Sequence, residues 1–485
     1  MWLAIGDAVE HWARYIPNKT AIRVGVREYS FRTLYKRALS IGLVIKESRV
    51  MGRIGVGVED KFEYLACIAA LNLMGYSIII FNPLATKESL KVHLNDTNPS
   101  LIIGSTELIG NINYVSNQSV QTLDLSKISM IEESRQLPKI KGKEWGVLFS
   151  SGSTGISKAI VYDHLAMTSE LLAWILELGI RRDTRFYVGR PIFYTGGLVL
   201  TLATLLVGGE VFLPEFKDDQ DFVSIWSNYQ TLLKQVSLDL AFFVPDQIRK
   251  FFEIAKEPFL GGPTILVMGA PISGEEKKKV YEFLKSPIVE SWGNSEGLGT
   301  ITDKEDLFVR PNSIGRPFLT EKLYVVSDDL VECAPKQSGR LAGSEETMFV
   351  EYANRPDATN RVKKNNLILS DDIGYIDEDN YFYILGRDQE SFVVNGQTVF
   401  LTDIEENLRN KIGIIESCII AIKKDSTTMF YALIVRSPDV SEEQIKIEVE
   451  KSYSTILNSC LFVESLPRLP SGKIDRIGAS KLVRF

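Results

Sequence analysis

The string Phe149-Ser-Ser-Gly-Ser-Thr-Gly-Ile-Ser-Lys158 gathers hydroxyls, glycines and a lysine into one short run. Gly152 and Gly155 let a backbone approach a ligand closely, and Ser150, Ser151, Ser153 and Thr154 offer hydroxyls beside amide N–H groups, a nest for an anion. Lys158 adds positive charge. The spacing is neither the GxxxxGK[ST] of a P-loop nor GxGxxG. A plain Ser/Gly turn between two elements remains the alternative on composition alone. A second anion-seeking region lies at the end of the chain, where Arg468, Lys473, Arg476, Lys481 and Arg484 face Asp475 as the sole acid.

Other chemistries find little support. The histidines are His11, His93 and His164, with no HExxH, which is thin for a histidine-rich metal site. Cys67, Cys333, Cys418 and Cys460 are scattered without CxxC spacing, so they read as buried or surface thiols rather than a zinc or redox pair. With 55 Lys+Arg against 62 Asp+Glu the net charge is -7, which disfavours a global nucleic-acid binder. A chain of 485 residues, 45% hydrophobic and 24% charged, has a globular composition and needs no disulfide or metal staple. No signal peptide is visible, so the expected location is cytoplasmic. The uncharged run from Tyr64 to Leu84 is long enough to span a bilayer, but Asn72, Gly75, Ser77, Asn82 and Pro83 interrupt it. It reads as helix, turn and buried strand, and no transmembrane segment is expected. Gly196 to Pro214 reads the same way, turning at Gly208-Gly209.

The elements that must carry these residues alternate. Apolar strand-like runs (WGVLFS, RFYVG, EVFLP, LAFFVP, TILVMG) are separated by helical stretches, which implies an α/β fold with buried, mainly parallel sheets. The anion nest follows the strand WGVLFS and precedes a helix that Asp163 caps. After about residue 310, KLYVV, TMFVEY, LILSDDIGYI and YFYILG read as strands and hairpins. Beyond Arg387 the order is β-α-β-β-α-β-like, a separate small α+β domain. The expected boundaries are 1–386 and 387–485.

The nest resembles the phosphate-binding loop of the adenylate-forming superfamily, which holds acyl-CoA synthetases, peptide-synthetase adenylation domains and beetle luciferases. Further resemblances follow in that family's order. Pro191-Ile-Phe-Tyr-Thr-Gly-Gly-Leu198 is similar to the carboxylate-pocket segment, and Val267-Met-Gly-Ala-Pro271 to the adenine segment. Trp292-Gly-Asn-Ser-Glu296 resembles YGxTE, Ser370-Asp-Asp-Ile-Gly374 resembles TGDxG, and Gly386-Arg387 resembles the GR entering a hinge. Leu466-Pro-Arg-Leu-Pro-Ser-Gly-Lys473 resembles the C-terminal LPxTxxGK. The similarity spans nearly the whole chain.

The resemblance implies a large N-terminal domain with a β-barrel-like subdomain and a small mobile C-terminal domain. It implies ATP and Mg²⁺, with ATP held by Ser150, Ser151, Gly152, Ser153, Thr154, Gly155, Lys158, Gly269, Ala270, Pro271, Trp292, Gly293, Asn294, Ser295, Asp372 and Arg387. Glu296 is the implied Mg²⁺ ligand, and Asp372 the implied ribose acceptor, with a one-residue slip to Asp371 left open. Lys473 would bridge the carboxylate and the α-phosphate. Adenylation turns a poor electrophile into a mixed anhydride through a transition state rich in negative charge, so positioned cations and N–H donors suit it. The acid would lie against Tyr194, Thr195 and Gly197. No acid follows Phe193, so an apolar or aromatic carboxylic acid is expected over an α-amino acid, whose buried ammonium would go unpaired.

The acyl acceptor would be coenzyme A or, alternatively, the phosphopantetheine of a carrier protein. A luciferase-type oxidoreductase and a non-catalytic nucleotide binder are the other classes; Lys473, Glu296 and Asp372 together speak against the latter. Four positions depart from the family pattern: Ser157 and Ala159 in the loop, Gln389 at the usual hinge aspartate and Val393 at a usual lysine.

Overall fold

The computed structural model describes the chain except residues 1–3, 116–119, 131–136, 139–141, 151–156, 216–221, 255–260, 395–396, 425–426, 469–473 and 484–485. It divides into two compact units. The first comprises chiefly Met1–Gly152, Ile156–Leu323 and Ala342–Leu369, and the second Tyr324–Leu341 and Ser370–Phe485.

The first unit is built on two large sheets. The nine-stranded sheet runs Arg316–Pro317, Gly299–Ile301, Ile288–Gly293, Thr264–Met268, Leu240–Phe243, Arg185–Val188, Glu210–Leu213, Thr20–Val24, Arg27–Ser30. From Ile288–Gly293 to Thr20–Val24 every neighbour is parallel. Parallel neighbours need crossovers, and the helices Thr195–Leu206, Phe222–Gln235, Pro245–Ile254 and Gly274–Leu284 supply them. Helices on both faces explain why a strand such as Leu240–Phe243 is apolar and buried throughout. Strand order reverses at Arg185–Val188: the next strand in the chain lies on one side of it and Leu240–Phe243 on the other. In such sheets a crevice opens beyond the carboxyl ends of the strands that flank the reversal.

The seven-stranded sheet runs Glu351–Tyr352, Ala159–Asp163, Glu144–Phe149, Ile78–Ile80, Ile54–Gly57, Leu101–Gly104, Gln121–Leu123. Tyr64–Leu84 behaves as its sequence implies. A helix Lys61–Met74 starts at Asp60, whose side chain accepts from Glu63 N, ends at left-handed Gly75 and leads into the buried strand Ile78–Ile80. Gly196 to Pro214 likewise forms the helix Thr195–Leu206, a turn at Gly208 and the strand Glu210–Leu213. Among the described residues no helix is long and apolar enough to cross a membrane.

The helix expected after the nest, capped by Asp163, is present: it spans His164–Glu177, and Asp163 Oδ1 accepts from Ala166 N at 2.8 Å. Between nest and helix the fold adds a strand, Ala159–Asp163, which pairs antiparallel with Glu144–Phe149. This strand, AIVYD, is buried along nearly its whole length and so lacks the polar alternation that would announce it.

The second unit contains the antiparallel pair Leu367–Ile376 and Phe382–Arg387, then the hairpin Ser391–Val394 and Gln397–Phe400. There follow a helix Leu401–Arg409, strands Ile414–Lys424 and Thr427–Arg436, a helix Glu442–Tyr453, a strand Ser459–Phe462 and a short helix Arg476–Ser480. Leu401, Ile404, Leu408, Ile419, Ala432, Ile434, Ile445 and Val449 form one of its cores. Capping at Ser441, with Gln444 reaching back, marks the start of the longer helix, a signature legible in the sequence.

Candidate active site

The parallel sheet brings several singled-out segments to its carboxyl edge. The pocket segment starts at Pro191, just beyond Val188, at the reversal point. Gln247, fully buried, spans the crevice floor: its Nε2 donates to Gly189 O at 2.7 Å and its Oε1 accepts from Val244 N at 3.0 Å. Gly197 sits where a Cβ would collide with Pro191 O, so only glycine lets the helix Thr195–Leu206 begin this tightly. Tyr194 is half-buried and flanked by Phe193, with ring centroids 4.8 Å apart, and by Arg190, whose guanidinium lies 4.4 Å from its ring centroid.

Gly269, Ala270 and Pro271 leave the next strand but one. Gly269 has φ +104°, a left-handed geometry that favours glycine, and a side chain there would approach Val244. Trp292 and Gly293 end the strand Ile288–Gly293, and Asn294, Ser295 and Glu296 form the turn that follows. Asn294 Oδ1 accepts from Leu298 N at 3.1 Å and closes this turn. Thr195 and Ser295 hydroxyls lie 3.3 Å apart, joining the pocket segment to the Glu296 turn. The structure therefore brings Tyr194, Thr195, Gly197, Gly269, Ala270, Pro271 and Trp292 through Glu296 to one edge.

A tyrosine joins Lys158 to this edge. Tyr352 donates its hydroxyl to Glu296 Oε1 at 2.6 Å, and Lys158 Nζ lies 4.7 Å from the centre of the Tyr352 ring. One aromatic side chain thus has the lysine on its face and the glutamate at its edge. The neck of the turn is closed by Ser150 N to Lys158 O at 3.0 Å, Lys158 N to Ser150 Oγ at 3.0 Å, and Ser157 Oγ to Ser150 O at 2.6 Å. Ser157, a departure from the family's proline, has a use here. Ser151, Gly152, Ser153, Thr154 and Gly155 lie outside the described residues.

Tyr352 and Tyr162 were not among the sequence candidates. Tyr162 donates its hydroxyl to Ser295 O, and burial pushes its phenol pKa well up, so it stays a neutral donor. Below this layer Glu170, bonded to Trp174 Nε1 at 2.8 Å, is pushed up to about 7 by burial. Glu321, which accepts from Gly299 N at 2.7 Å, is raised by burial and by the neighbouring Glu170 charge. Nothing in motif spacing marks these residues; sheet order alone brings them here.

In the second unit, Asp372 and Arg387 are cross-strand partners, with Oδ1 3.4 Å from Nε. Asp371 is exposed, so the register pairs Arg387 with Asp372. Ser370 Oγ accepts from Asp372 N at 3.0 Å. Lys473 lies outside the described residues.

A parallel α/β sheet with glycine turns, a carboxylate and a lysine at the crevice edge is the architecture of a nucleotide-using α/β enzyme. The family profile described as AMP-binding enzyme matches residues 9–353, and the chain belongs to that family. The 2-succinylbenzoate–CoA ligase of Bacillus mycoides (strain KBAB4) is 23% identical over 484 residues, covering 96% of each chain. Among solved structures, the O-succinylbenzoate coenzyme A synthetase of Bacillus subtilis in complex with AMP superposes with a TM-score of 0.84 at 17% identity over 97% of each chain. ATP-bound MatB from Rhodopseudomonas palustris also gives a TM-score of 0.84, at 19% identity over 99% of each chain.

Proposed function

We propose that the chain joins a carboxylic acid to AMP at the expense of ATP and then transfers the acyl group to the thiol of coenzyme A. Family membership and full-length similarity to CoA ligases support this reading. The observation that carries it is the Lys158–Tyr352–Glu296 arrangement beside the Tyr194 crevice. It holds a cation over the ring and a carboxylate at the hydroxyl of one tyrosine, where a triphosphate and an acid could meet.

Glu296 fits Mg²⁺. Among the described residues no group of three or more side chains is arranged to hold a metal, and a single carboxylate suits an ion that keeps water and phosphate oxygens as its other ligands. When bound, the ion neutralises phosphate charge. Tyr352 orients the Glu296 carboxylate. Lys158 and the residues 150–155 hold the phosphates, while Gly269–Pro271 and Trp292–Ser295 hold the adenine. Asp372, paired with Arg387, accepts from the ribose hydroxyls. Lys473 compensates the charge that grows on the α-phosphate and the attacking carboxylate. Residues 387–485 rearrange between the two half-reactions, and residues 1–386 keep the adenylate.

The acid is an aromatic one. Arg190 packs on the Tyr194 ring, and no acid follows Phe193 to pair with a substrate ammonium. Two ligases similar in sequence act, by their names, on 2-succinylbenzoate. The test is pyrophosphate release over a panel of aromatic, aliphatic and amino acids, with coenzyme A and then with a phosphopantetheinylated carrier protein. Release with an aromatic acid and thioester formation on coenzyme A is expected. Activity confined to amino acids or to the carrier protein would overturn the substrate or the acceptor.

A further inference from the structure

The turn that carries Glu296 follows a strand of the nine-stranded sheet, yet it is gripped by the edge of the other sheet. At that edge Glu351–Tyr352 pairs antiparallel with Ala159–Asp163. The pairing extends through Val350 N to Val161 O at 2.7 Å and Ala353 N to Ala159 O at 2.8 Å. Donors reach from these strands and their flank to the turn. Tyr352 donates its hydroxyl to Glu296 Oε1, Phe349 N donates to Glu296 O at 3.0 Å, and Tyr162 donates its hydroxyl to Ser295 O. A Cβ on Gly297, whose φ is +105°, would come within 3.3 Å of Met348, so the turn lies close against the segment before Glu351.

Tyr162 differs from the other donors in where its strand begins. Ala159–Asp163 starts directly after Lys158, whose Nζ stands over the Tyr352 ring. One short strand therefore leads from the lysine, through Tyr162, to the residue beside the glutamate. Tyr162 is 1% exposed, and burial keeps its phenol a neutral donor. The Ser295 hydroxyl, on the far side of the same residue, lies 3.3 Å from that of Thr195. Ser295 is thus fastened to the seven-stranded sheet by its carbonyl and to the pocket segment by its side chain.

We propose that Tyr162 is a positioning residue for Glu296. By holding Ser295 O it fixes the direction in which the neighbouring carboxylate leaves the turn, and it ties that carboxylate to the strand that Lys158 leads into. The inference rests on the metal role given to Glu296 above. Groups that orient a metal-ligating carboxylate change metal affinity about 10–100-fold when removed. Tyr162 acts one residue from the ligand through a neutral hydrogen bond, so a smaller effect of about three- to tenfold is expected.

The experiment uses the full-length protein and calorimetry of ATP binding, without added Mg²⁺ and at saturating Mg²⁺. The readout is the gain in ATP affinity that Mg²⁺ supplies. Tyr162→Phe keeps the ring and its packing and removes the donor. It should shrink the gain about three- to tenfold, with affinity in the absence of Mg²⁺ changed less than about twofold. In a Glu296→Gln background, Tyr162→Phe should shrink the gain no further, because a residue acting only through Glu296 has nothing left to position. Tyr76→Phe is the matched control: its hydroxyl also donates to a backbone carbonyl, Val50 O, at 2.9 Å in a buried place. It should lower stability in chemical denaturation as much as Tyr162→Phe does and leave the gain untouched. An unchanged gain in Tyr162→Phe, additive losses with Glu296→Gln, or equal shrinkage in Tyr76→Phe would overturn the proposal. So would a Tyr162→Phe variant that does not fold, since the hydroxyl would then serve the core rather than the turn. Failure of the functional reading looks different, since the wild-type protein would then bind no ATP at any Mg²⁺ concentration.

Discussion

The residues that flank 151–156 and those that flank 469–473 are held together by different physics. The neck at Ser150 and Lys158 is closed by neutral hydrogen bonds from backbone and hydroxyl groups. The neck at Arg468 and Arg476 is closed by ion pairs, one of them to the buried Glu405. Neutral bonds contribute about 0.5–1.5 kcal/mol each, and losing one is tolerable. A buried ion pair gives little net stability while intact, yet removing one partner strands the other and costs about 3–5 kcal/mol. The first neck should weaken by degrees, and the second should fail as a unit.

A second contrast lies in the carboxylates. Glu405 and Glu390 share Arg476, whereas Glu170 and Glu321 form no ion pair among the described residues, and burial pushes their pKa values up. One pair of acids shares a cation, and burial makes the other resist ionisation.

These contrasts can be broken by substitution. Glu405→Ala should destabilise the second unit by about 3 kcal/mol, near the low end of the range because Glu390 still faces Arg476; chemical denaturation reads this. A change below about 1 kcal/mol would place the charged neck in the same class as the neutral one. Lys473→Ala should reduce pyrophosphate exchange about 10²–10³-fold, or roughly 2.7–4 kcal/mol, with ATP binding retained in calorimetry. Near wild-type exchange would remove Lys473 from the mechanism.

Tyr352→Phe deletes a hydrogen bond to an ionised group, about 1.5–3 kcal/mol, so the Mg²⁺ concentration needed for half-maximal exchange should rise tenfold or more. An unchanged Mg²⁺ titration would sever Tyr352 from Glu296. Ser157→Ala should raise KM for ATP only a few-fold, for about 1 kcal/mol. The effect should be the same in high salt, since no ion pair is involved.

The smallest effect concerns pH. Glu170 titrates near 7 in the folded protein against an ordinary 4.5, so the folded state keeps a proton that the unfolded chain releases. The stability this supplies is full below about pH 4.5 and fades as pH rises through 7. Melting temperature should therefore decline across that interval, and Glu170→Gln, which keeps an acceptor for Trp174, should flatten the decline. A slope unaltered by the substitution would assign the titration elsewhere.

Much of this molecule was legible before folding. The order of motifs, the alternation of apolar strands with helices, the cap at Asp163 and the turn at Gly75 are local signals, acting over a few residues where propensity and sterics suffice. The hairpin at Ala159–Asp163 was missed because a strand buried on both faces has no polar alternation to announce it. The choice between Asp371 and Asp372 was open because a one-residue slip moves a strand side chain to the opposite face; in the fold it is Asp372 that lies opposite Arg387. Tertiary structure alone decided the partnerships. Tyr352 meets Glu296 across 56 residues, Arg476 meets Glu405 across 71, and Tyr162 reaches Ser295 across 133. Separations of that size are set by the order in which strands enter a sheet, and sheet order is chosen by the burial of whole faces rather than by the residues that happen to meet there.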